Sequence, residues 1–257
     1  MNKKILDTTV VESIRLTDSY ALIKVTPSDK SALPDIKPGQ FVEVKIDGAD
    51  ILLRRPISVN FVDMKTNQLW LLVRKAGRGT SRLMEANVGD TLNLVLPLGN
   101  GFSLQTDKNK RVLLIGGGVG VAPLLYLGKV LNDNGVRPSF LIGARSKADL
   151  LQIADFERYG DVYISTDDGS AGEHGLVTGN TVISRNFDFF YCCGPAPMMK
   201  AVAHVAKDKG VECEVSLENM MACGLGACLC CVEKTVRGNV CVCTCLLYTS
   251  PSPRDLS

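Results

Sequence analysis

Ten cysteines occur in this chain of 257 residues, none before Cys192, and seven of them fall between Cys223 and Cys245. Four have a spacing that can do chemistry. Cys223-x4-Cys228-x2-Cys231, with Cys243 after eleven further residues, is the C-x4-C-x2-C…C pattern of a plant-type [2Fe–2S] cluster. Three thiolates must converge on two irons from one tight loop, and a fourth closes the cage from a later segment. Gly224 and Gly226 let the loop curl so that backbone N–H groups face the sulfurs. Such donors help tune the potential of the bound electron. Cys230 and Cys241 are spare thiols beside these positions, and Cys241 is an alternative to Cys243 as fourth ligand. A structural zinc site and a set of inert buried thiols are the competing readings. Zinc prefers paired short spacings, and only Cys228/Cys231 is such a pair.

A second pattern is Gly116-Gly117-Gly118-Val119-Gly120-Val121-Ala122-Pro123. It follows an apolar strand and opens a helix, the setting in which backbone amides without Cβ obstruction approach a pyrophosphate. Pro123 replaces the usual third glycine, and proline is tolerated in a first helical turn. The next strand ends at Gly143-Ala144-Arg145 with no acidic residue to hold a ribose 2′-hydroxyl, so NAD and NADP both stay open. A third pattern, Arg54-Arg55-Pro56-Ile57-Ser58, enters a strand with a cation able to neutralise a pyrophosphate and a hydroxyl able to reach a flavin ring nitrogen. Lys75-Ala76-Gly77-Arg78-Gly79-Thr80 adds a glycine turn at a predicted helix start, a second phosphate-sized site. Alone, each also suits a tight turn or a solvated strand edge.

The elements that must position these residues follow from the hydrophobic rhythm. Residues 8 to about 103 read as all-β, with apolar runs at Tyr20–Val25, Phe41–Ile46, Ile57–Phe61, Leu69–Val73 and Thr91–Leu96 between turn residues. This predicts a small barrel or sandwich with one helix around Gly79–Ala86. After a charged linker at Asp107–Arg111 the rhythm becomes strand and helix alternately. Strands are expected at Val112–Ile115, Ser139–Gly143, Val162–Thr166 and Phe189–Cys193, and helices at Val121–Asn132, Ala148–Tyr159 and Met198–Lys209. That alternation implies an open parallel sheet. The predicted domains are 1–105 (β-barrel), 106–211 (α/β) and 212–244 (cysteine-rich). The tail from 245 matches a translated sequencing adaptor and is read as a cloning scar outside the fold, with a genuine disordered tail as the alternative.

Composition sets the outer limits. Hydrophobic residues make up 46% and charged residues 22% of the chain, and the formal net charge is +2. This is an ordinary globular composition, with no electrostatic case for nucleic acid or an anionic membrane surface. Crowding of cysteines at one end of a chain long enough to build its own core reads as a metal site in a reducing compartment, not a disulfide framework. The apolar stretch Val112–Gly128 is too short and too glycine-broken to span a bilayer. A cytoplasmic protein with no membrane partner is expected. His174 and His204 are too isolated for a triad, and Asp167-Asp168-Gly169 reads as a turn.

In this order the patterns resemble the ferredoxin–NADP reductase-like flavoproteins. Arg55-Pro56-Ile57-Ser58 is similar to that superfamily's flavin motif, Gly79-Thr80 to its flavin-phosphate turn and Gly118-x-Gly120-x-x-Pro123 to its nicotinamide-nucleotide loop. Cys193-Gly194-Pro195 is similar to its late segment beside the nicotinamide. Leu72, Val73 and Arg74 are further cofactor-binding positions the resemblance implies. Within the superfamily the match is to electron-transfer subunits of type B dihydroorotate dehydrogenases. Its most specific part is Glu218-Asn219-Met220-Met221-Ala222-Cys223-Gly224-Leu225-Gly226-Ala227-Cys228. The chain departs from that family two residues after Cys243, where the adaptor-like tail begins.

The resemblance implies a β-barrel flavin domain, an α/β nucleotide-binding domain and a small C-terminal [2Fe–2S] domain. It also implies FAD and a cluster on Cys223, Cys228, Cys231 and Cys243. NAD would be the electron acceptor. The implied partner is an FMN-containing, dihydroorotate-oxidising catalytic subunit in a heterotetramer, with electrons passing to NAD⁺ in pyrimidine biosynthesis. The rival readings are an NAD(P)H–ferredoxin or sulfide-type reductase subunit, and a metal-stabilised binding module without redox activity.

Overall fold

The computed structural model describes residues 3–48, 51–217, 219–235 and 238–244, and the backbone of 247–250. Glu218, Cys245 and, apart from the backbone of 247–250, the rest of the adaptor-like tail lie outside the described residues. The chain divides into two compact units, one comprising 1–101, 219–233 and 240–246, the other 102–218, 234–239 and 247–257.

The first unit is built on a closed barrel of six strands. These are β1 (Lys4–Thr17), β2 (Tyr20–Pro27), β3 (Phe41–Val44), β4 (Arg55–Asp63), β5 (Gln68–Arg74) and β6 (Thr91–Leu98), with α1 (Arg78–Leu83) between β5 and β6. The order is β1-β2-β5-β4-β3-β6, each neighbouring pair antiparallel, and β6 returns to β1 through Lys4↔Leu96 to Thr9↔Thr91. Val10, Ile23, Val25, Val59, Leu71 and Leu94 are completely buried. Closure leaves no free edge, which suits strands this short. β1 has no clean apolar run because its register shifts at Val10/Glu12 and Arg15/Thr17. Each bulge resets the inward–outward alternation that a sequence reading depends on.

The second unit is a mostly parallel sheet. Its strands are β7 (Val112–Gly117), β8 (Ser139–Ala144), β9 (Asp161–Thr166), β10 (Glu173–His174), β11 (Phe189–Cys193) and β12 (Glu212–Ser216), in the order β10-β9-β8-β7-β11-β12. The order reverses at β7, so the crevice of such a sheet opens at the carboxyl ends of β7 and β11. Helices α2 (Ala122–Asp133), α3 (Ile153–Glu157) and α4 (Ala196–Asp208) connect the strands. α3 is much shorter than the helix expected over Ala148–Tyr159. Lys147–Asp149 forms a 3-10 turn, and Gln152 adopts φ 54, which a continuing helix cannot accommodate. Glu212–Ser216 joins this sheet as β12 and does not open the cysteine-rich loop. Only five residues long, its alternation of Glu with buried Cys213 and Val215 is a weak signal. Two strands, β13 (Val232–Thr235) and β14 (Gly238–Cys241), form a separate hairpin. Residues 247–250, left out of the fold on sequence, form β15 antiparallel to β12. Among the described residues no helix is long and apolar enough to cross a membrane.

Two buried polar groups tie the segment after Gly101 to this sheet. The Tyr191 hydroxyl donates to the Ser103 carbonyl at 2.7 Å and accepts the Gln105 N–H at 3.2 Å. The Glu214 carboxylate accepts the Ser103 N–H at 3.1 Å and its hydroxyl at 2.6 Å. Burial raises the pKa of both groups. Tyr191→Phe removes the hydrogen bonds of a half-buried N–H and a carbonyl at once, so it is expected to destabilise this unit by about 1 kcal/mol. Urea denaturation checks this, and an unchanged midpoint would contradict it.

Candidate functional site

On the barrel, the strand-entry Arg55 sits over the glycine turn that the sequence pairs with it. A β-carbon built on Gly79 would lie 2.4 Å from Arg55 Nε, so the guanidinium rests directly on the backbone at the start of α1. Arg55 is anchored by donating to the Leu53 carbonyl at 2.6 Å. Arg54 donates to the Asn93 carbonyl at 2.9 Å and the Glu43 carbonyl at 3.3 Å. The Thr80 hydroxyl is committed to shaping the turn. It accepts the Ala76 N–H at 2.8 Å and the Gly77 N–H at 3.1 Å. Pro56 and Ser58 are half-buried on β4, with Ile57 buried between them. On β5, Leu72 and Val73 are buried and Arg74 is exposed. Arg55 and Gly79 are thus brought together from β4 and α1.

In the α/β unit, Gly118–Val121 forms a 3-10 turn running from β7 into α2, with Pro123 in the first helical turn. Gly120 is pressed against the carboxyl end of β11. A β-carbon there would fall 2.5 Å from the Cys193 carbonyl oxygen and 2.5 Å from Gly194 Cα. Gly117 and Gly194 each pack so closely on Met198 that a β-carbon would meet its side chain at 2.6 Å and 2.5 Å. The glycine loop and the Cys193-Gly194-Pro195 segment therefore share one crevice, at the reversal of strand order. Cys193 and Gly194 are buried there and Pro195 is exposed.

The cysteine loop belongs to the barrel's compact unit. It turns through left-handed backbone at Gly224 (φ 63), Gly226 (φ 86) and Leu229 (φ 58). The curl points the Leu225 and Cys228 N–H groups at Cys223 Sγ, both at 3.4 Å. Those donors lower the Cys223 pKa to about 6, the Leu225 N–H contributing most. The Cys243 N–H donates to Cys231 Sγ at 3.4 Å, and both thiols are buried. Burial first, then the neighbouring Cys231, pushes the Cys243 thiol up to about 12. Cys223 thus interacts with Cys228, and Cys231 with both Cys243 and Cys241. Among the described residues, no three metal-binding side chains converge on a single ion position. Cys228 and Cys230 are exposed.

Sequence reasoning missed Glu43 on β3. It is 1% exposed and lies against Gly224. Burial pushes its pKa up to about 7, opposed by Arg54 and Arg55 and reinforced by Cys223. The available signal was a lone carboxyl inside the apolar run Phe41–Ile46.

A closed antiparallel barrel joined to a parallel sheet with a glycine crevice at its switch point defines a ferredoxin–NADP reductase-like flavin oxidoreductase. Solved structures agree. The NADH-dependent reduced ferredoxin–NADP oxidoreductase superposes with TM-score 0.82 at 28% identity, covering 94% of this chain and 87% of that one. The cytochrome b5 reductase domain of Ulva prolifera nitrate reductase, at TM-score 0.66 and 18% identity, shares the fold over 80% of this chain and 94% of its own. No protein-family model matches the chain. Among curated proteins, the dihydroorotate dehydrogenase B (NAD(+)) electron transfer subunit of Shouchella clausii is 42% identical over 238 residues, 90% of this chain and 89% of its own length. The protein of the same name from Fusobacterium nucleatum is 37% identical over 90% of each chain. The chain belongs to the family of dihydroorotate dehydrogenase B electron transfer subunits.

Two outcomes follow from this geometry. Gly120→Ala forces a methyl into the β11 backbone and is expected to destabilise the α/β unit by about 1–3 kcal/mol in thermal unfolding. In metal-free protein, the lowered pKa makes Cys223 a thiolate above about pH 6, while Cys243 stays a thiol until about pH 12. Iodoacetamide at neutral pH should therefore label Cys223 well before Cys243, and slow sharply at Cys223 as pH falls below about 6. Equal labelling of the two in peptide mass spectrometry would refute the assignment.

Proposed function

We propose that this chain carries electrons from an FMN-containing, dihydroorotate-oxidising subunit to NAD⁺, using FAD and a [2Fe–2S] cluster of its own. The observation that carries the reading is the coexistence of three fitted cradles: Arg55 over Gly79, Gly120 against Cys193–Gly194, and interacting thiols in a glycine-curled loop. When bound, flavin would supply the exchange between hydride and single electrons, and the cluster a one-electron store.

The residues divide the work. Arg55, beside the Gly79–Thr80 turn, supplies positive charge for a flavin pyrophosphate, with Pro56, Ile57, Ser58, Leu72, Val73 and Arg74 lining the flavin position. Gly118, Gly120 and Pro123 present unobstructed backbone to a nicotinamide nucleotide, and Cys193, Gly194 and Pro195 face the same crevice. Cys223, Cys228, Cys231 and Cys243 would hold the cluster. Two thiolates per iron is the demand of a two-iron cluster, and the C-x4-C-x2-C…C spacing supports it over a single tetrahedral zinc. The free, crowded cysteines support a reducing cytoplasmic setting. The working assembly is taken as two copies of each subunit, soluble, with no nucleic acid and no membrane. The barrel is taken as the flavin-binding part, the parallel sheet through β12 as the NAD-binding part and the cysteine loop after it as the cluster-binding part, while the tail from 245 is taken as a cloning scar whose residues 247–250 pair with β12.

Arg55→Ala removes one charge-assisted phosphate contact and is expected to weaken FAD binding by roughly 1.5–3 kcal/mol. Full flavin occupancy of the variant in dilute solution would count against it. Cys228→Ser should lose iron while keeping flavin and NADH-to-dye reduction, and dihydroorotate-to-NAD⁺ activity with the partner should collapse. Full iron and full coupled activity in that variant would show the ligand set to be wrong.

A further inference from the structure

Glu43 is the buried ionisable group that this function does not use. It sits on β3 with Val42 and Val44, both completely buried. Neither carboxyl oxygen has a hydrogen-bond partner among the described residues. Its surroundings are specific. A β-carbon on Gly224 would lie 2.8 Å from Glu43 Oε1 and 2.9 Å from its Cγ, so the side chain abuts the first glycine of the cysteine loop. The charged groups acting on it are Arg54, Arg55 and Cys223. The hydrogen bonds of both arginines run elsewhere, Arg54 to the Glu43 and Asn93 carbonyls and the Asn93 side chain, Arg55 to the Leu53 and Arg54 carbonyls. A carboxyl left this way in a buried site is costly unless its position serves something. What faces it is the curled loop that carries Cys223.

We propose that Glu43 is a positioning residue of the cysteine loop: it seats Gly224 against the barrel and, in its ionised form, places one negative charge behind the Cys223 side of the cluster. This rests on the reading of Cys223, Cys228, Cys231 and Cys243 as cluster ligands. A fixed negative charge near an electron acceptor disfavours the added electron, so the carboxylate lowers the cluster's reduction potential. The same charge partly offsets Arg55, so one side chain bears on the proposed flavin-phosphate contact as well as on the thiolates. Only glycine fits opposite it, because Gly224 combines a positive φ with contact to the carboxyl.

The test uses the full chain, purified without oxygen, as wild type, Glu43→Gln and Glu43→Asp. Iron and flavin contents are measured, and the cluster potential is read by redox titration followed by electron paramagnetic resonance in mildly alkaline buffer. Glu43→Gln should keep flavin and titrate at a more positive potential, and Glu43→Asp should lie near wild type. Full iron in Glu43→Gln at an unshifted potential overturns the proposal. If Glu43→Gln purifies without iron, Glu43→Asp decides. Iron retained upholds the carboxylate, whereas equal loss in both means packing alone is at stake and overturns it. A wild-type chain free of iron and cluster signal would instead sink the cluster reading itself, and this inference with it.

Discussion

Each candidate site depends on the same constraint, a backbone approach so close that no β-carbon fits. Arg55 lies on Gly79, Gly120 lies on Cys193 and Gly194, and Glu43 lies on Gly224. In the first two, bare backbone next to a cation or at a strand end is what an anionic nucleotide needs. In the third, the bare backbone lets a loop curl tightly enough to aim N–H groups at sulfur. Mutating such a glycine displaces a neighbouring element, so binding and stability are coupled at these positions. The barrel and the parallel sheet serve to hold two partners of each approach on different elements: β4 with α1, the β7–α2 turn with β11, and β3 with the cysteine loop.

The electrostatics around the cysteine loop are arranged in opposition. Backbone donors favour a thiolate at Cys223, while burial holds Cys243 in its neutral form in the absence of metal. On the proposed ligand set, Cys223 would bind as a thiolate at neutral pH and Cys243 would first have to give up a proton. Metal binding there would be coupled to proton release. Cys223 comes from the exposed-side loop and Cys243 from the buried return segment.

The parts of the molecule that were legible in the sequence are those with strong local signals. The barrel strands from β2 to β6 and the glycine turn into α2 follow from apolar runs bounded by turn residues. The alternation of the second unit gave the parallel sheet, and Phe189–Cys193 has the predicted limits. The losses have physical causes. β1 hides behind two bulges, α3 is cut short by the left-handed Gln152, and β12 is a five-residue strand beside a cysteine-rich stretch. At the sites, spacing named the cysteines, but which of them interact is a tertiary fact. Glu43 lies some 180 residues before Cys223, and no local pattern can announce a contact made only when the loop folds back on the barrel.

Membership of a family of electron transfer subunits and the geometry of this chain bear on different questions. Identity of 42% across nine-tenths of the chain fixes the family, yet it is silent on which side chains adjust the electron's energy. Ligands alone do not set a cluster's potential; net charge, hydrogen bonds to sulfur and exposure do so as well. Here two of those factors are visible and opposed. In a cluster held as proposed, N–H donors at Cys223 would stabilise the reduced state, and an ionised Glu43 would destabilise it. Arg54 and Arg55 moderate the carboxylate from the flavin-motif strand. A change at any one of these groups alters the balance felt by the others. The flavin motif and the cysteine loop are therefore electrostatically linked within one compact unit, although more than a hundred and fifty residues separate them in sequence.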